Sequence, residues 1–178
     1  MQYAVCSMQG NDEDTKPILQ APVYRLLSLT PMKFIADAMV GKLAKRMRLL
    51  GFDVLYGNTL EDNSILCIAL EQDRIILTRD TGLASRPLAR NHILIQSDMV
   101  DEQLAQVLDL FTIHEKDALT RCTICNEQLS EMDRHEARNS VPDHVYENST
   151  GFRQCISCRR VYWKGSHLKN MAKMRLIR

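Results

Sequence analysis

The sequence lacks any apolar run that approaches the roughly 20 residues required for a membrane-spanning helix. Residues 1–31 also lack the basic start and apolar middle of a signal peptide. We therefore expect a cytoplasmic protein, in which paired cysteines bind a metal more readily than they form disulfides. Internal repeats and low-complexity tracts are absent as well. The 178 residues suffice for one compact domain with a hydrophobic core and a small appendage.

Acidic residues are absent from the C-terminal end of the chain. Gly151 to Arg178 contain 8 basic residues and no acidic one, whereas the first 150 residues carry 15 basic and all 22 acidic residues, a net charge of −7. This asymmetry indicates an acidic body with a basic end that binds an anionic partner. The alternative is that the basic residues only form a solvated surface.

Strand patterns alternate with helix patterns from Met32 onward. A short apolar run, Phe34 to Ala36, ends at Asp37. A helix with one apolar face is predicted to follow directly and to end near Gly51, which is in the position of a C-terminal cap. Further strands are predicted at 53–56, 74–78 and 92–95, and further helices start near residues 61 and 101. This alternation predicts an α/β fold with a mainly parallel sheet and right-handed crossovers.

Carboxylates follow the predicted strands. Asp37, Asp80 and Asp98 each come closely after a strand, and Glu61 or Asp62 begins the helix after the second strand. The carboxyl ends of parallel strands meet at one edge of the sheet, where open α/β sheets bind ligands. Acids held together there would suit Mg²⁺ or Mn²⁺ and a phosphodiester substrate. The alternative is that each acid only caps a helix or a turn.

The C-terminal third contains two C-x-x-C motifs. Four thiolates paired in this way form a closed tetrahedral Zn²⁺ site, the signature of a zinc ribbon, and redox chemistry is the alternative. The segment between the motifs leaves room for a hairpin or an inserted loop. Cys67, by contrast, lies in an apolar helix pattern and is predicted to be a core residue. The four predicted zinc ligands are Cys122, Cys125, Cys155 and Cys158.

Aromatic and basic residues follow the second motif. Tyr162 and Trp163 precede a tail that contains four basic residues. Stacking surfaces together with positive charge are what a single-stranded nucleic acid requires. The two aromatic residues are equally suited to completing the small core of the ribbon. The basic residues of the tail are Lys169, Lys173, Arg175 and Arg178.

Several segments together resemble the Mut-seven C-terminal RNase domain family over roughly residues 32–171. Members of that family are regarded as PIN-like nuclease domains with a zinc ribbon. The resemblance implies a PIN-like three-layer α/β/α fold, with a small C-terminal zinc ribbon, and a ribonuclease that depends on Mg²⁺ or Mn²⁺. It also implies an acidic site formed by Asp37, Asp62, Asp80 and Asp98. The segments that carry the resemblance are 34–53, 77–80, 101–104, 121–126 and 162–167.

The resemblance also implies roles for single residues. Asp37 and Asp80 hold the divalent ion, and Asp62 (or Glu61) and Asp98 complete its shell directly or through water. The reaction is the hydrolysis of an RNA phosphodiester, with single-stranded RNA as the expected partner. The rival interpretation is a non-catalytic RNA-binding or ribosome-associated adaptor. The predicted substrate-binding residues are Lys42, Arg46, Arg79, Trp163 and His167, and the alternative for Lys42 and Arg46 is a solvated position without a role.

A left-handed turn is expected after the second cysteine of each motif. Asn126 adopts this turn readily, and Arg159 adopts it with slight strain.

We predict four segments from these patterns. The segments are an N-terminal extension at 1–31, a PIN-like nuclease domain at 32–112, a zinc ribbon at 120–168 and a basic tail at 169–178.

Overall fold

This computed structural model describes residues 32–111, 113 and 115–165. The predicted N-terminal extension, His167 and the predicted basic tail lie outside the described residues. In the part of the chain that is described, no helix is both long and apolar enough to cross a membrane.

The chain divides into two compact units. One unit comprises the described residues up to Ala44 together with Val54–Gln103, and the other comprises Lys45–Asp53 together with the described residues from Leu104 onward. The segment Lys45–Asp53 therefore belongs to the same unit as the C-x-x-C motifs, although it lies well before them in the sequence.

The sheet of the first unit is formed by strands β1 Lys33–Ala36, β2 Asp53–Tyr56, β3 Ile75–Thr78 and β4 His92–Leu94. The strand order is β2-β1-β3-β4, so that β1 and β3 are the inner strands. Parallel pairing aligns Phe34 with Ile75, and Ile76 with His92. The predicted α/β class with a parallel sheet is thus confirmed.

Among the described residues up to Leu110, the α-helices are α1 Gly41–Leu49, α2 Asp62–Gln72, α3 Thr81–Ala84 and α4 Val100–Leu110. A 3₁₀ turn, Ala38–Val40, precedes α1. The middle of α2, including Cys67 as predicted, is buried, and α2 packs against β1 and β3. The single turn of α3 is too short for hydrophobic periodicity to reveal. The main core cluster of this unit includes Ile35, Ile65, Leu66, Ile68, Ile76 and Leu83.

Gly51 ends α1 as the sequence predicts. Its φ is +95°, its N–H donates to the Arg48 carbonyl at 3.0 Å, and the Phe52 N–H donates to the Met47 carbonyl at 3.1 Å. This pair of hydrogen bonds is the Schellman motif, which requires a left-handed residue at the position of Gly51. A Cβ atom at Gly51 would also lie 2.1 Å from the Asp117 carbonyl oxygen.

Gly51→Ala should therefore lower the free energy of unfolding by roughly 2–3 kcal/mol, because strain and a steric clash act at the same residue. Urea denaturation measures the change. Gly151→Ala is the matched control, since a Cβ atom there meets nothing within 4 Å. Equal stability of the two variants would contradict the capping role of Gly51.

The second unit contains a small antiparallel sheet, formed by β5 Leu129–Met132, β6 Phe152–Cys155 and β7 Val161–Trp163 in that order. The long segment between β5 and β6 forms two short helices, α5 Arg134–Ala137 and α6 Asp143–Asn148, rather than a hairpin. Met132 and Trp163 both pair with Phe152, and this face packs against apolar side chains of the helical insertion. The insertion therefore supplies the core that so small a sheet lacks. Its core residues are Ala137, Val141 and Val145.

Candidate active site and metal centre

Asp37 is a buried carboxylate at the C-terminal end of β1, with 6% of its surface exposed. Its N–H donates to the Leu77 carbonyl at 3.1 Å, which extends the parallel ladder by one residue. Its Oδ1 accepts the Met39 N–H at 2.6 Å and caps the 3₁₀ turn before α1, and its Oδ2 accepts the Thr78 hydroxyl. Both carboxylate oxygens are thus held in fixed directions.

Thr78 joins Asp37 to Asp80. It is the last residue of β3 and is fully buried. Its Oγ1 donates to Asp37 and accepts the Asp80 N–H at 2.9 Å. Asp80 itself is exposed, and its Oδ1 caps α3 by accepting the Gly82 N–H at 2.7 Å. Asp37 and Asp80 therefore lie at the same edge of the sheet, where the sequence analysis expects them.

Thr78 was not among the site residues predicted from the sequence. The signal was its position directly before Arg79 and Asp80, where a hydroxyl ends an otherwise apolar strand. Its contact with Asp37 follows from the pairing of β1 with β3, which the alternation of strands and helices does not specify.

Arg79 and Asp98 form an ion pair at the ends of β3 and β4. The Asp98 side chain is 79% exposed and that of Arg79 is 27% exposed. The Arg79 Nε atom is buried and, within the described residues, has no hydrogen-bond partner. An incoming phosphate group would therefore have to share Arg79 with Asp98.

The remaining predicted site residues of the helices are more dispersed. Asp62 is exposed at the first turn of α2, and Glu61 precedes it without a capping hydrogen bond from its side chain. Lys42 is exposed on α1, and Arg46 is partly exposed on the same helix. Over the described ranges, no carboxylate belongs to a group of three or more ligand atoms close enough to share an ion. The structure brings Asp37 and Asp80 to one edge and does not gather all four acids into a compact cluster.

The four cysteines do form a compact group. The sulfur atoms of Cys122, Cys125, Cys155 and Cys158 all lie within 4.8 Å of one another, and the Cys122 and Cys158 sulfurs are 3.6 Å apart. These separations exceed a disulfide bond and suit four ligands around one tetrahedral ion. The cluster is consistent with a structural zinc site.

The backbone of each C-x-x-C motif turns sharply around the site. The Asn126 N–H donates to the Cys122 carbonyl at 3.0 Å, and the Arg159 N–H donates to the Cys155 carbonyl at 2.9 Å. Asn126 has φ 64° and Arg159 has φ 61°. The predicted left-handed turn after each motif is confirmed. We refer to Cys122–Cys125 and Cys155–Cys158, each with its turn, as the first and second knuckles.

Hydrogen bonds to the Cys122 sulfur lower the pKa of this thiol. Burial alone would raise the pKa of its thiol, but the Cys125 N–H, at 3.3 Å from its sulfur, and the Tyr162 hydroxyl, at 3.1 Å, help lower that pKa to about 6. Burial and the hydrogen bond with Cys158 raise the pKa of Cys125 to about 12. Zinc binding would therefore release protons, since a zinc ligand is a thiolate.

Tyr162 and Trp163 occupy opposite faces of the small sheet. Burial and the neighbouring Cys122 raise the pKa of Tyr162 to about 12. Its hydroxyl lies 3.1 Å from the Cys122 sulfur and accepts the Thr123 N–H at 3.2 Å. Trp163 is partly buried against Phe152 and the helical insertion. Both aromatic side chains thus contribute to packing. The exposed part of the Trp163 ring could still stack on a base, and this stacking stays a prediction.

A family model for the Mut7-C RNAse domain matches residues 32–175. The chain belongs to the Mut7-C RNase domain family. No curated protein and no solved structure matches it significantly. The matched residues include Asp37, Asp80 and the four cysteines. A family named for RNase domains implies a nucleic acid as substrate.

Proposed function

We propose that this chain is a metal-dependent ribonuclease that hydrolyses RNA phosphodiester bonds at the carboxyl ends of β1 and β3. The observation that carries the proposal is the bridge from Asp37 through Thr78 to Asp80. It holds two carboxylates from separate parts of the chain at the edge where α/β sheets bind ligands. Family membership supports RNA as the substrate.

Oxygen ligands of this kind suit Mg²⁺ or Mn²⁺. Such an ion supplies an activated water and neutralises developing charge on the phosphate. Asp37 contributes a carboxylate whose direction is fixed by Met39 and Thr78, and Asp80 contributes one that faces solvent. Asp62 and Asp98 would complete the shell of such an ion directly or through water. Arg79, with Lys42 and Arg46, neutralises phosphates of the substrate.

The cysteine-bearing unit and the basic end are proposed to bind single-stranded RNA. The 8 basic and no acidic residues from Gly151 onward provide the charge. Trp163 and His167 provide ring surfaces for stacking, with the ring of Trp163 half-buried. In this proposal residues 32–112 carry the chemistry, and residues 120–168 and 169–178 hold the substrate.

A second function has specific support. Asp37 and Asp80 each cap a helical turn, and Asp98 is paired with Arg79. These are structural roles, as expected if the chain is a non-catalytic RNA-binding adaptor. In that case the cysteine-bearing unit and basic end would bind RNA without cleaving it.

Titration of Mn²⁺ against the purified protein and a labelled single-stranded RNA separates the two functions. The ribonuclease should cleave RNA only with Mn²⁺ or Mg²⁺ and should lose activity in EDTA. The adaptor should bind RNA with an affinity that falls as salt rises and should leave the RNA intact at every Mn²⁺ concentration.

Thr78→Val should reduce the cleavage rate about 10–100-fold, the usual effect of losing a group that orients a metal ligand. The valine keeps the shape of the buried side chain but cannot donate to Asp37 or accept from Asp80. Thr78→Ser is the matched control, because it retains the hydroxyl and should stay close to wild type. Equal cleavage rates in the two variants would show that the bridge has no part in the reaction.

A further inference from the structure

Arg48, near the C-terminal end of α1, is a charged residue with only 3% of its surface exposed. A buried guanidinium requires hydrogen-bond acceptors and negative charge nearby, because removing it from water is costly. The groups around Arg48 therefore indicate what it does.

Arg48 contacts the loop of the first knuckle. Its Nη1 donates to the Thr123 carbonyl at 3.1 Å and to the Ile124 carbonyl at 2.8 Å. These two residues separate the cysteines of that knuckle, about 75 positions later in the sequence. The guanidinium thus holds the part of the backbone that directs Cys122 and Cys125 inward.

Asp53, in the same segment as Arg48, contacts residues on both sides of the first knuckle. Its Oδ1 accepts the Asn126 Nδ2–H at 2.8 Å, and its Oδ2 lies 3.5 Å from Arg121 Nη2. Asn126 is the left-handed residue that closes the first knuckle. The segment Lys45–Asp53 therefore supports this knuckle through both Arg48 and Asp53.

The charges agree with this geometry. Burial lowers the pKa of Arg48. Arginine nevertheless remains protonated in proteins. A Zn²⁺ ion bound by four thiolates would form a centre with a net charge of −2, and buried charge requires compensation. Arg48 is placed to provide it.

We propose that Arg48 is a positioning residue of the zinc centre: it supplies counter-charge to the four thiolates and holds the first knuckle in its metal-binding form. In return, bound zinc keeps the segment Lys45–Asp53 in place. The proposal rests on zinc occupancy of the cysteine cluster and is independent of RNA cleavage.

The first test is zinc affinity, measured by competition with a chromophoric chelator. Arg48→Met should weaken zinc binding about 10–100-fold, as is usual when a group that supports metal ligands is lost. Arg48→Lys should recover part of the loss, because it restores the charge but not the planar donor pair. Lys45→Met, an exposed change on the same helix, is the matched control and should bind zinc as wild type does. Wild-type affinity in Arg48→Met would overturn the proposal.

The second test uses the unchanged chain and so does not depend on the folding of a variant. Zinc removal by a chelator should increase hydrogen exchange in Lys45–Asp53 as well as in the two knuckles, and should leave α2 protected. Unchanged protection of Lys45–Asp53 while the knuckles exchange would overturn the proposal. Native mass spectrometry of the folded chain tests zinc binding separately. A chain without zinc would overturn the zinc assignment itself. If zinc is bound but Arg48→Met keeps wild-type zinc affinity, or Lys45–Asp53 keeps its protection after zinc removal, only the role of Arg48 is overturned.

Discussion

Replacing Asp37 with asparagine is expected to reduce RNA cleavage by at least about 10²–10³-fold, the effect of removing one preorganised charged or polar group from a catalytic site. The amide cannot provide the negative charge that holds a divalent ion. The fold should survive, because the amide oxygen can still accept either the Met39 N–H or the Thr78 hydroxyl. The lost hydrogen bond should lower stability by about 1–3 kcal/mol. Cleavage of labelled single-stranded RNA in Mn²⁺ measures the first effect, and urea denaturation measures the second.

Asp109→Asn is the matched control for this prediction. Asp109 is an exposed acid on α4 that is not among the predicted site residues, and its replacement removes the same charge. Cleavage should stay near wild type in that variant. If the folded Asp37→Asn protein cleaved RNA as fast as the Asp109→Asn protein, the carboxylate site would be ruled out.

Replacing Cys155 with serine is expected to abolish stoichiometric zinc binding and to unfold the cysteine-bearing sheet. Cys155 is fully buried at the end of β6, and its sulfur is one of four that can hold the ion. A small module depends on its metal for folding, and structural zinc contributes roughly 10–16 kcal/mol of apparent binding free energy in such modules. Elemental analysis gives the zinc content, and near-ultraviolet circular dichroism reports the environment of Tyr162 and Trp163.

Cys67→Ala provides the comparison for the zinc measurement. Cys67 is buried in α2 and is not part of the cysteine cluster. Its replacement should cost some stability through a small cavity but should keep one zinc per chain. Full zinc content in Cys155→Ser, with the sheet intact, would mean that the cysteines do not form a metal site.

Features that depend on residues close together in the sequence could be predicted from the sequence alone. Gly51 was predicted as a helix cap, Asn126 and Arg159 as left-handed turns, and Cys67 as a core residue. The first three depend on left-handed backbone conformations that few residue types adopt readily, and the burial of Cys67 follows from the apolar pattern around it. The parallel sheet followed from the alternation of apolar patterns.

Contacts between distant parts of the chain could not be predicted in this way. The bridge formed by Thr78 depends on β3 lying beside β1, and the strand order is a property of the folded chain. The role of Arg48 also depends on a distant contact. In the sequence it is one of several basic residues on α1, and its hydrogen-bond acceptors lie more than 70 residues later in the chain. The two helices between β5 and β6 have only four and six residues, too few for hydrophobic periodicity to identify them.

The strand order has a consequence for thermal behaviour. Sheets fray from their margins, where strands have a neighbour on one side only, and the carboxylates of Asp37 and Asp80 follow the two strands that have neighbours on both sides. Partial melting that detaches a marginal strand therefore leaves the spacing between these two acids intact. Asp37 and Asp80 should separate only in the cooperative transition in which the whole sheet unfolds.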